Sequence, residues 1–129
     1  MASILVVDDH TDTNEMLCRL LRSYGHTTAS AFTGEGALAM IGFERPELVI
    51  LDVMMPGMDG MEVLRLIRRD PATATVPVIL FSGVADADFR QHALQKGAND
   101  YWLKGATDLA QLNEMVAKYV PSSAAGLLN

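Results

Sequence analysis

Short apolar runs alternate with amphipathic stretches along the chain, and the runs have the length of β-strands. The most apolar run, residues 48–51, contains no polar position and ends in Asp52. Such a run is typical of a strand that is covered on both faces in the centre of a parallel sheet. The run at 26–31 is more polar, which favours a place at or near a sheet edge.

This pattern predicts strands and helices that alternate along the sequence. The strands are predicted at residues 3–7, 26–31, 48–52, 76–83 and 100–103. The helices are predicted at residues 12–24, 33–43, 59–69, 86–96 and 107–119. Regular alternation of this kind indicates an α/β fold, in which right-handed crossovers place helices on both faces of a parallel sheet.

Local signals mark the ends of several predicted helices. Asp12 and Glu15 form a capping-box pattern at the start of the first helix, and Gly25 is typical of its end. Asp59 and Glu62 repeat the capping box at the third helix. The apolar stripe of the first helix is predicted to face the core and consists of Met16, Leu17, Leu20, Leu21 and Tyr24.

The composition indicates one domain with an acidic surface. At 129 residues, half of them hydrophobic, the chain fits one domain at 1–120 followed by a flexible tail at 121–129. The net charge of −6 disfavours nucleic acid and anionic membranes as partners. With one cysteine, and with no signal peptide or transmembrane run in the sequence, we expect a soluble cytoplasmic protein.

Polar side chains stand where the predicted strands end. Asp8 and Asp9 follow the first strand, Asp52 ends the third, Ser82 lies at the end of the fourth and Lys104 follows the fifth. Open α/β sheets bind their ligands at the carboxyl ends of the strands. Three acids gathered at that edge would be costly unless a cation or a shared proton compensates their charge.

The residue types at this edge suit phosphoryl chemistry. Carboxylates are ligands for Mg²⁺, and an aspartate is also a nucleophile that forms an aspartyl phosphate. Lys104 would neutralise the phosphoryl charge and Ser82 would donate a hydrogen bond to it. Each residue alone has an ordinary explanation as a turn former, a solvated loop residue or a surface lysine. The coincidence of these signals at one sheet edge favours a phosphoryl-accepting site.

The chain resembles, along nearly its whole length, the response-regulator receiver domains of two-component signalling. The matching features are the pair Asp8-Asp9, the segment Asp-Val-Met-Met-Pro-Gly-Met-Asp-Gly at 52–60, Ser82 and Tyr-Trp-Leu-Lys at 101–104. The resemblance implies a doubly wound, five-stranded parallel sheet of order 2-1-3-4-5 with five helices, a flavodoxin-like fold.

The resemblance also implies a phosphoacceptor and a metal site. Asp52 would be phosphorylated by a sensor histidine kinase or a phosphotransfer protein in a Mg²⁺-dependent reaction. Asp9 and Asp52 would bind Mg²⁺ directly, Asp8 would act through water, and the Met54 carbonyl would be a further ligand.

Further residues of the resemblance concern the phosphorylated state. Ser82 and Lys104 would hold the phosphoryl oxygens, and Tyr101 would turn inward as Ser82 moves towards the phosphoryl group. The sequence departs from the family at Gly105, where a proline after a cis peptide bond is usual. A cis bond before a non-proline residue costs about 2.5–4 kcal/mol. We therefore expect either a trans Lys104–Gly105 bond or a looser loop.

The resulting hypothesis is a phosphorylation switch that promotes its own phosphorylation and dephosphorylation without turning over a separate substrate. The face formed by the fourth helix, fifth strand and fifth helix would contact a downstream protein that the sequence does not identify. The chain would act as a monomer or as a phosphorylation-dependent dimer.

Rival hypotheses differ in the chemistry of the sheet edge. A flavin-binding protein needs a phosphate-binding loop where this chain has Asp8-Asp9. An aspartate-nucleophile phosphatase typically carries a second acid where this chain has Met54. A degenerate receiver would bind partners without phosphorylation, and only Gly105 favours it. His10 is either a metal ligand or an exposed loop residue.

Overall fold

The computed structural model describes residues 2–120 as a parallel sheet of order β2-β1-β3-β4-β5, which confirms the predicted topology. Its strands are β1 (Ser3–Val7), β2 (Thr27–Ala31), β3 (Leu48–Leu51), β4 (Val78–Ser82) and β5 (Asp100–Leu103). The tail predicted at 121–129 lies outside the described residues.

Helices cover both faces of the sheet and bury a separate core cluster on each face. They are α1 (Thr11–Ser23), α2 (Gly34–Phe43), α3 (Gly60–Arg69), α4 (Ala87–Gln95) and α5 (Leu112–Ala117), the last preceded by a 3₁₀ turn at Leu109–Gln111. Residues of α2, α3 and α4 form one cluster, and residues of α1 and α5 form the other. Within the described chain, no helix is both long enough and apolar enough to cross a membrane.

The central strand sets the level at which the neighbouring strands end. All of β3 is buried, as its uniformly apolar sequence predicts. In the parallel register Val7 lies beside Leu51, and the Asp52 amide donates to the Val7 carbonyl at 2.8 Å. Between β4 and β5, the Lys104 amide donates in the same way to the Ser82 carbonyl at 2.8 Å. The polar residues after these strands therefore meet at one edge.

The prediction that Asp12 caps the first helix is wrong. Helix α1 begins at Thr11, His10 occupies the N-cap position without a side-chain capping bond, and Asp12 lies in the first turn. The Asp8 carboxylate accepts a hydrogen bond from the backbone amide of His10 at 2.9 Å. This bond forms the turn that precedes α1, so Asp12 does not occupy the N-cap position. Met16, predicted to face the core, is 39% exposed.

The last helix is shorter than predicted. Instead of a continuous helix over 107–119, the 3₁₀ turn precedes α5. The Thr107 hydroxyl donates to the Leu103 carbonyl at 2.7 Å, and the Asp108 carboxylate accepts from the Ala110 amide at 3.0 Å. These local bonds satisfy backbone groups in a non-helical arrangement, which is the usual way in which such side chains delay a helix.

The capping box predicted at the third helix forms only in part. Asp59 caps α3 by accepting from the Glu62 amide at 3.0 Å, whereas the Glu62 carboxylate pairs with Arg65 at 2.6 Å and does not complete the box. Every described peptide bond is trans, including Lys104–Gly105. Gly105 has a φ of 83°, a left-handed conformation that glycine adopts without steric cost.

Two glycines provide a matched test of backbone packing. A Cβ at Gly60 would lie 2.8 Å from Val53 Cα and would overlap the Asp52 carbonyl, whereas a Cβ at Gly42 would meet no atom within 4 Å. We expect Gly60→Ala to lower the free energy of unfolding by about 1–3 kcal/mol through overpacking. Gly42→Ala should raise it by about 0.5–1 kcal/mol because alanine favours the helix. Urea unfolding of both variants measures the difference, and equal effects would contradict the packing described.

The contact between Tyr119 and Asp100 predicts a pH effect on stability. The Tyr119 hydroxyl donates to Asp100 Oδ2 at 2.6 Å. Burial, followed by the hydrogen bond and charge of Asp100, raises the pKa of Tyr119 to about 12 from 10.0. Because the folded state holds this proton more tightly, the stabilisation is complete below pH 10 and is lost as the pH rises through 12. Tyr119→Phe should flatten this part of the stability profile, and an unchanged alkaline slope in urea titrations would contradict the assignment.

Candidate functional site

Two aspartates are buried side by side at the carboxyl edge of the sheet. Asp8 is 2% exposed and Asp52 is 3% exposed, and they directly follow the neighbouring strands β1 and β3. Asp9 and His10 continue the loop after β1, and one possible ligand atom from each of these residues lies within 4.8 Å of the others. The parallel register thus brings together the acids that the sequence separates by more than forty positions.

Lys104 follows the carboxyl end of β5, and its side chain extends to Asp8 and Asp52. Its ammonium lies 2.8 Å from Asp8 Oδ2 and 3.3 Å from Asp52 Oδ2, and it stands 5.7 Å from the centre of the Phe81 ring. The lysine side chain is itself 23% exposed. One ammonium therefore bridges two buried carboxylates.

The site remains electrostatically unfavourable for the ionised form of Asp52. Burial raises the pKa of Asp52, the nearby Asp8 charge raises it further, and Lys104 opposes both effects without cancelling them. Burial lowers the pKa of Lys104, but hydrogen bonds and charge from Asp8 and Asp52 outweigh burial and place the pKa above its ordinary value. Lys104 is therefore charged at neutral pH, and Asp52 is left with an environment that favours added positive charge.

The donor atoms fit a divalent cation. Within residues 2–120, Asp9 Oδ1 is buried and makes no hydrogen bond, although His10 Nδ1 lies 3.4 Å away, and a buried carboxylate oxygen without a hydrogen-bond partner favours a nearby cation. Carboxylate oxygens are the ligands that Mg²⁺ takes in proteins. The Met54 amide donates to Asp52 Oδ1 at 3.4 Å and its side chain is 65% exposed. The backbone of the loop after β3 therefore contacts the Asp52 carboxylate.

Ser82 and Tyr101 lie beyond the acids and share contacts with one backbone segment. Ser82 is fully buried at the end of β4, and its Oγ accepts from the Val84 amide at 3.1 Å. The Tyr101 hydroxyl donates to the Val84 carbonyl at 2.6 Å, and its ring meets Phe89 edge-on at 6.2 Å. Tyr101 therefore faces inward, and residue 84 connects it to Ser82.

Asn14 supports the site but was missed from the sequence. It is fully buried on α1, and its amide group donates to the carbonyls of Asp8 at 3.2 Å and Ala31 at 3.1 Å. These bonds hold the end of β1, after which Asp8 and Asp9 follow. A polar residue inside the apolar stripe of the first helix was the available signal.

Of the residues predicted for the site, the structure brings Asp8, Asp9, Asp52 and Lys104 into direct proximity. Ser82 occupies the neighbouring strand end, and Tyr101 lies further off, connected through Val84. His10 also lies beside the acids, with its Nδ1 3.3 Å from Asp8 Oδ1 and 3.4 Å from Asp9 Oδ1.

Comparison with known proteins agrees with this geometry. The family model described as the response regulator receiver domain matches residues 4–117. Response regulator PleD of Caulobacter vibrioides is 38% identical over 108 residues, which cover 84% of this chain and 24% of PleD. A 14.6 kDa protein of Leptolyngbya boryana is 38% identical over 116 residues, which cover 90% of this chain and 88% of that protein.

A solved structure shares the fold as well. The signal receiver domain of a signal transduction histidine kinase from Syntrophus aciditrophicus superposes with a TM-score of 0.82 at 32% identity, covering 92% of this chain and 89% of that one. Because the family model spans nearly all of the described residues, the chain belongs to the response regulator receiver domain family.

Proposed function

We propose that Asp52 accepts a phosphoryl group from a sensor histidine kinase or a phosphotransfer protein. The observation that carries this proposal is the buried pair Asp8 and Asp52 with the Lys104 ammonium 2.8 and 3.3 Å from their oxygens. A buried carboxylate held beside a lysine, at the ligand-binding edge of an open sheet, suits attack on phosphorus.

The transfer exchanges one bond to phosphorus for another. A carboxylate oxygen of Asp52 attacks, an O–P bond forms, and the P–N bond to the donor histidine breaks as the imidazole leaves with a proton. Lys104 turns from the Asp52 oxygen to the incoming phosphoryl oxygens and offsets their charge. Bound Mg²⁺ supplies further positive charge at this centre.

The proposed Mg²⁺ ligands are the Asp9 and Asp52 carboxylates and the Met54 carbonyl, with Asp8 acting through water. The Asp9 oxygen that makes no hydrogen bond and the acid cluster support this set. Mg²⁺ commonly keeps several waters and takes only one or two protein carboxylates, so this number of ligands suffices.

Ser82 and Tyr101 would report the phosphorylated state. The Ser82 hydroxyl oxygen accepts a hydrogen bond from the Val84 amide at 3.1 Å. Moving this hydroxyl towards a phosphoryl oxygen would break that bond. The Tyr101 hydroxyl binds the carbonyl of the same residue, so the loop after β4 couples the two side chains. Phosphorylation would shift the population of this loop and thereby alter the face formed by α4, β5 and α5.

That face would bind a downstream protein, and the chain would act in the cytoplasm as a monomer or a phosphorylation-dependent dimer.

The chain spans only 24% of the length of PleD, so the activities of such longer relatives form no part of this proposal. We propose no turnover of a separate substrate, since the exposed Met54 stands where a phosphatase of this type would need an acid.

Intact mass after incubation with acetyl phosphate tests the acceptor. We expect the parent to gain one phosphoryl group in the presence of Mg²⁺ and none after chelation. Asp52→Asn should gain none because the amide is not a nucleophile. The matched control is Asp88→Asn, which removes an exposed carboxylate from the first turn of α4 and should behave as the parent. A parent that gains no mass would instead favour the degenerate receiver that binds partners without phosphorylation.

A further inference from the structure

The strand β2 forms one edge of the sheet, and its outer side pairs with no strand among residues 2–120. Its sequence, Thr-Thr-Ala-Ser-Ala at 27–31, contains no charged residue and no proline, and it pairs residue by residue with β1 without a bulge. Charges, prolines and bulges are the usual means by which proteins protect a sheet edge from other strands. The edge at β2 is therefore able to accept a further strand.

Thr28 and Ser30 carry the backbone groups that face outward from this edge. The Thr27 amide and the Ala31 carbonyl make hydrogen bonds of 2.9 and 3.1 Å to the backbone at the two ends of β1. Because neighbouring residues of a strand direct their backbone groups to opposite sides, residues 27, 29 and 31 bond inward. The amides and carbonyls of Thr28 and Ser30 thus point away from the sheet.

An apolar groove lies beside this edge on the α2 face of the sheet. It has a volume of about 590 Å³, and its lining includes the side chains of Leu5, Ala29, Ala39, Met40 and Phe43. Phe43 is 91% exposed, more than any other large hydrophobic side chain in the part of the chain that the structure describes. An exposed aromatic ring beside an apolar groove is typical of a surface that binds another protein.

The side of α2 that borders the groove carries a regular stripe. Glu35, Ala39 and Phe43 follow one another at intervals of four residues, which places them on one face of the helix, and all three are exposed. Arg45 follows the end of α2 and is also exposed. The stripe therefore has an acid at its start, a small residue at its centre, and an aromatic ring and a base at its end.

A second copy of the chain fits the edge and the groove together. When two β2 strands pair antiparallel about a two-fold axis at Ala29, Thr28 of each copy lies opposite the partner's Ser30, and the two exchange both backbone hydrogen bonds. Helix α2 contacts β1 and β2, so with strands about 4.8 Å apart the two α2 helices lie about 10 Å apart, a normal distance for packed helices. The small Ala39 lies at the centre of this contact.

The charges of the two copies complement each other in this arrangement. The α2 helices run antiparallel, so Glu35 at the start of one helix lies beside Arg45 at the end of the other, and the helix dipoles oppose favourably. Glu44 adds an opposing charge at the same end. Self-complementary patches of this kind suit a two-fold contact between identical chains.

We propose that the chain forms a symmetric dimer through antiparallel pairing of β2 and packing of α2 against the partner's α2. The apolar grooves and the Phe43 rings are enclosed between the two helices. This contact does not depend on phosphorylation of Asp52, because β2 and the α4–β5–α5 face lie at opposite edges of the sheet.

Disulfide cross-linking of Ala29→Cys in oxidised glutathione tests the strand register. In the proposed pair the two Cα atoms at position 29 lie about 4.5 Å apart, which is within the range of a disulfide. The matched control is Thr27→Cys, which is exposed on the same face of β2 but lies about 14 Å from its copy, too far for a disulfide. The native Cys18 is 3% exposed and does not react.

We expect covalent dimers of Ala29→Cys and none of Thr27→Cys. An absence of dimers at position 29 would overturn the proposal, and so would equal cross-linking at both positions.

Sedimentation equilibrium of the protein without Mg²⁺ or a phosphoryl donor measures the association itself. The parent should approach twice the monomer mass as its concentration rises. Ala29→Lys places like charges at the two-fold axis and should raise the dissociation constant about tenfold or more. Ala110→Lys adds the same charge at an exposed position of the 3₁₀ turn and should associate as the parent does. A monomeric parent would contradict the proposal, whether or not Asp52 accepts a phosphoryl group.

An exchange of charges tests the helix contact in the same measurement. Glu35→Arg and Arg45→Glu should each weaken the dimer about fivefold, because each variant sets like charges against each other twice in the symmetric contact. The double variant restores opposite charges and should associate more tightly than either single variant. A double variant weaker than both would overturn the proposed packing of α2.

Discussion

Two buried carboxylates that share one ammonium lie at the centre of the site. Asp8 and Asp52 are brought together by the parallel register of β1 and β3, and Lys104 contacts both. Burial and mutual repulsion raise the pKa of Asp52 in spite of the lysine. A site with this imbalance favours added positive charge.

The fold serves this arrangement by ending its apolar strands at one level. The fully buried β3 is in parallel register with β1 and β4, and the residues that follow these strands therefore lie at the same edge of the sheet. Gly60 lets α3 begin against the Asp52 backbone, where a larger residue would collide. On the other side of the site, the backbone of Val84 contacts both the Ser82 hydroxyl and the Tyr101 hydroxyl.

The strand order and the residues at the carboxyl edge of the sheet could be predicted, because apolar runs and the polar residues that end them are local features of the sequence. What could not be predicted depends on contacts between distant segments or on competing local bonds. Asp12 looks like a cap, but Asp8 forms the turn through the His10 amide. Asn14 lies on the apolar stripe of the first helix, but its role depends on the Asp8 and Ala31 carbonyls, which only the folded chain brings beside it. The late start of α5 follows from side-chain bonds near Thr107 that helical periodicity does not reveal.

The free energy of unfolding at pH 7, measured with and without Mg²⁺, shows whether the site favours added positive charge. Ionised Asp52 costs stability in the folded state because its pKa is raised there, so Asp52→Asn should be more stable than the parent in metal-free buffer. Added Mg²⁺ should stabilise the parent in proportion to the logarithm of its concentration, and the variant far less. A variant less stable than the parent without metal, together with a parent that does not respond to Mg²⁺, would contradict the account.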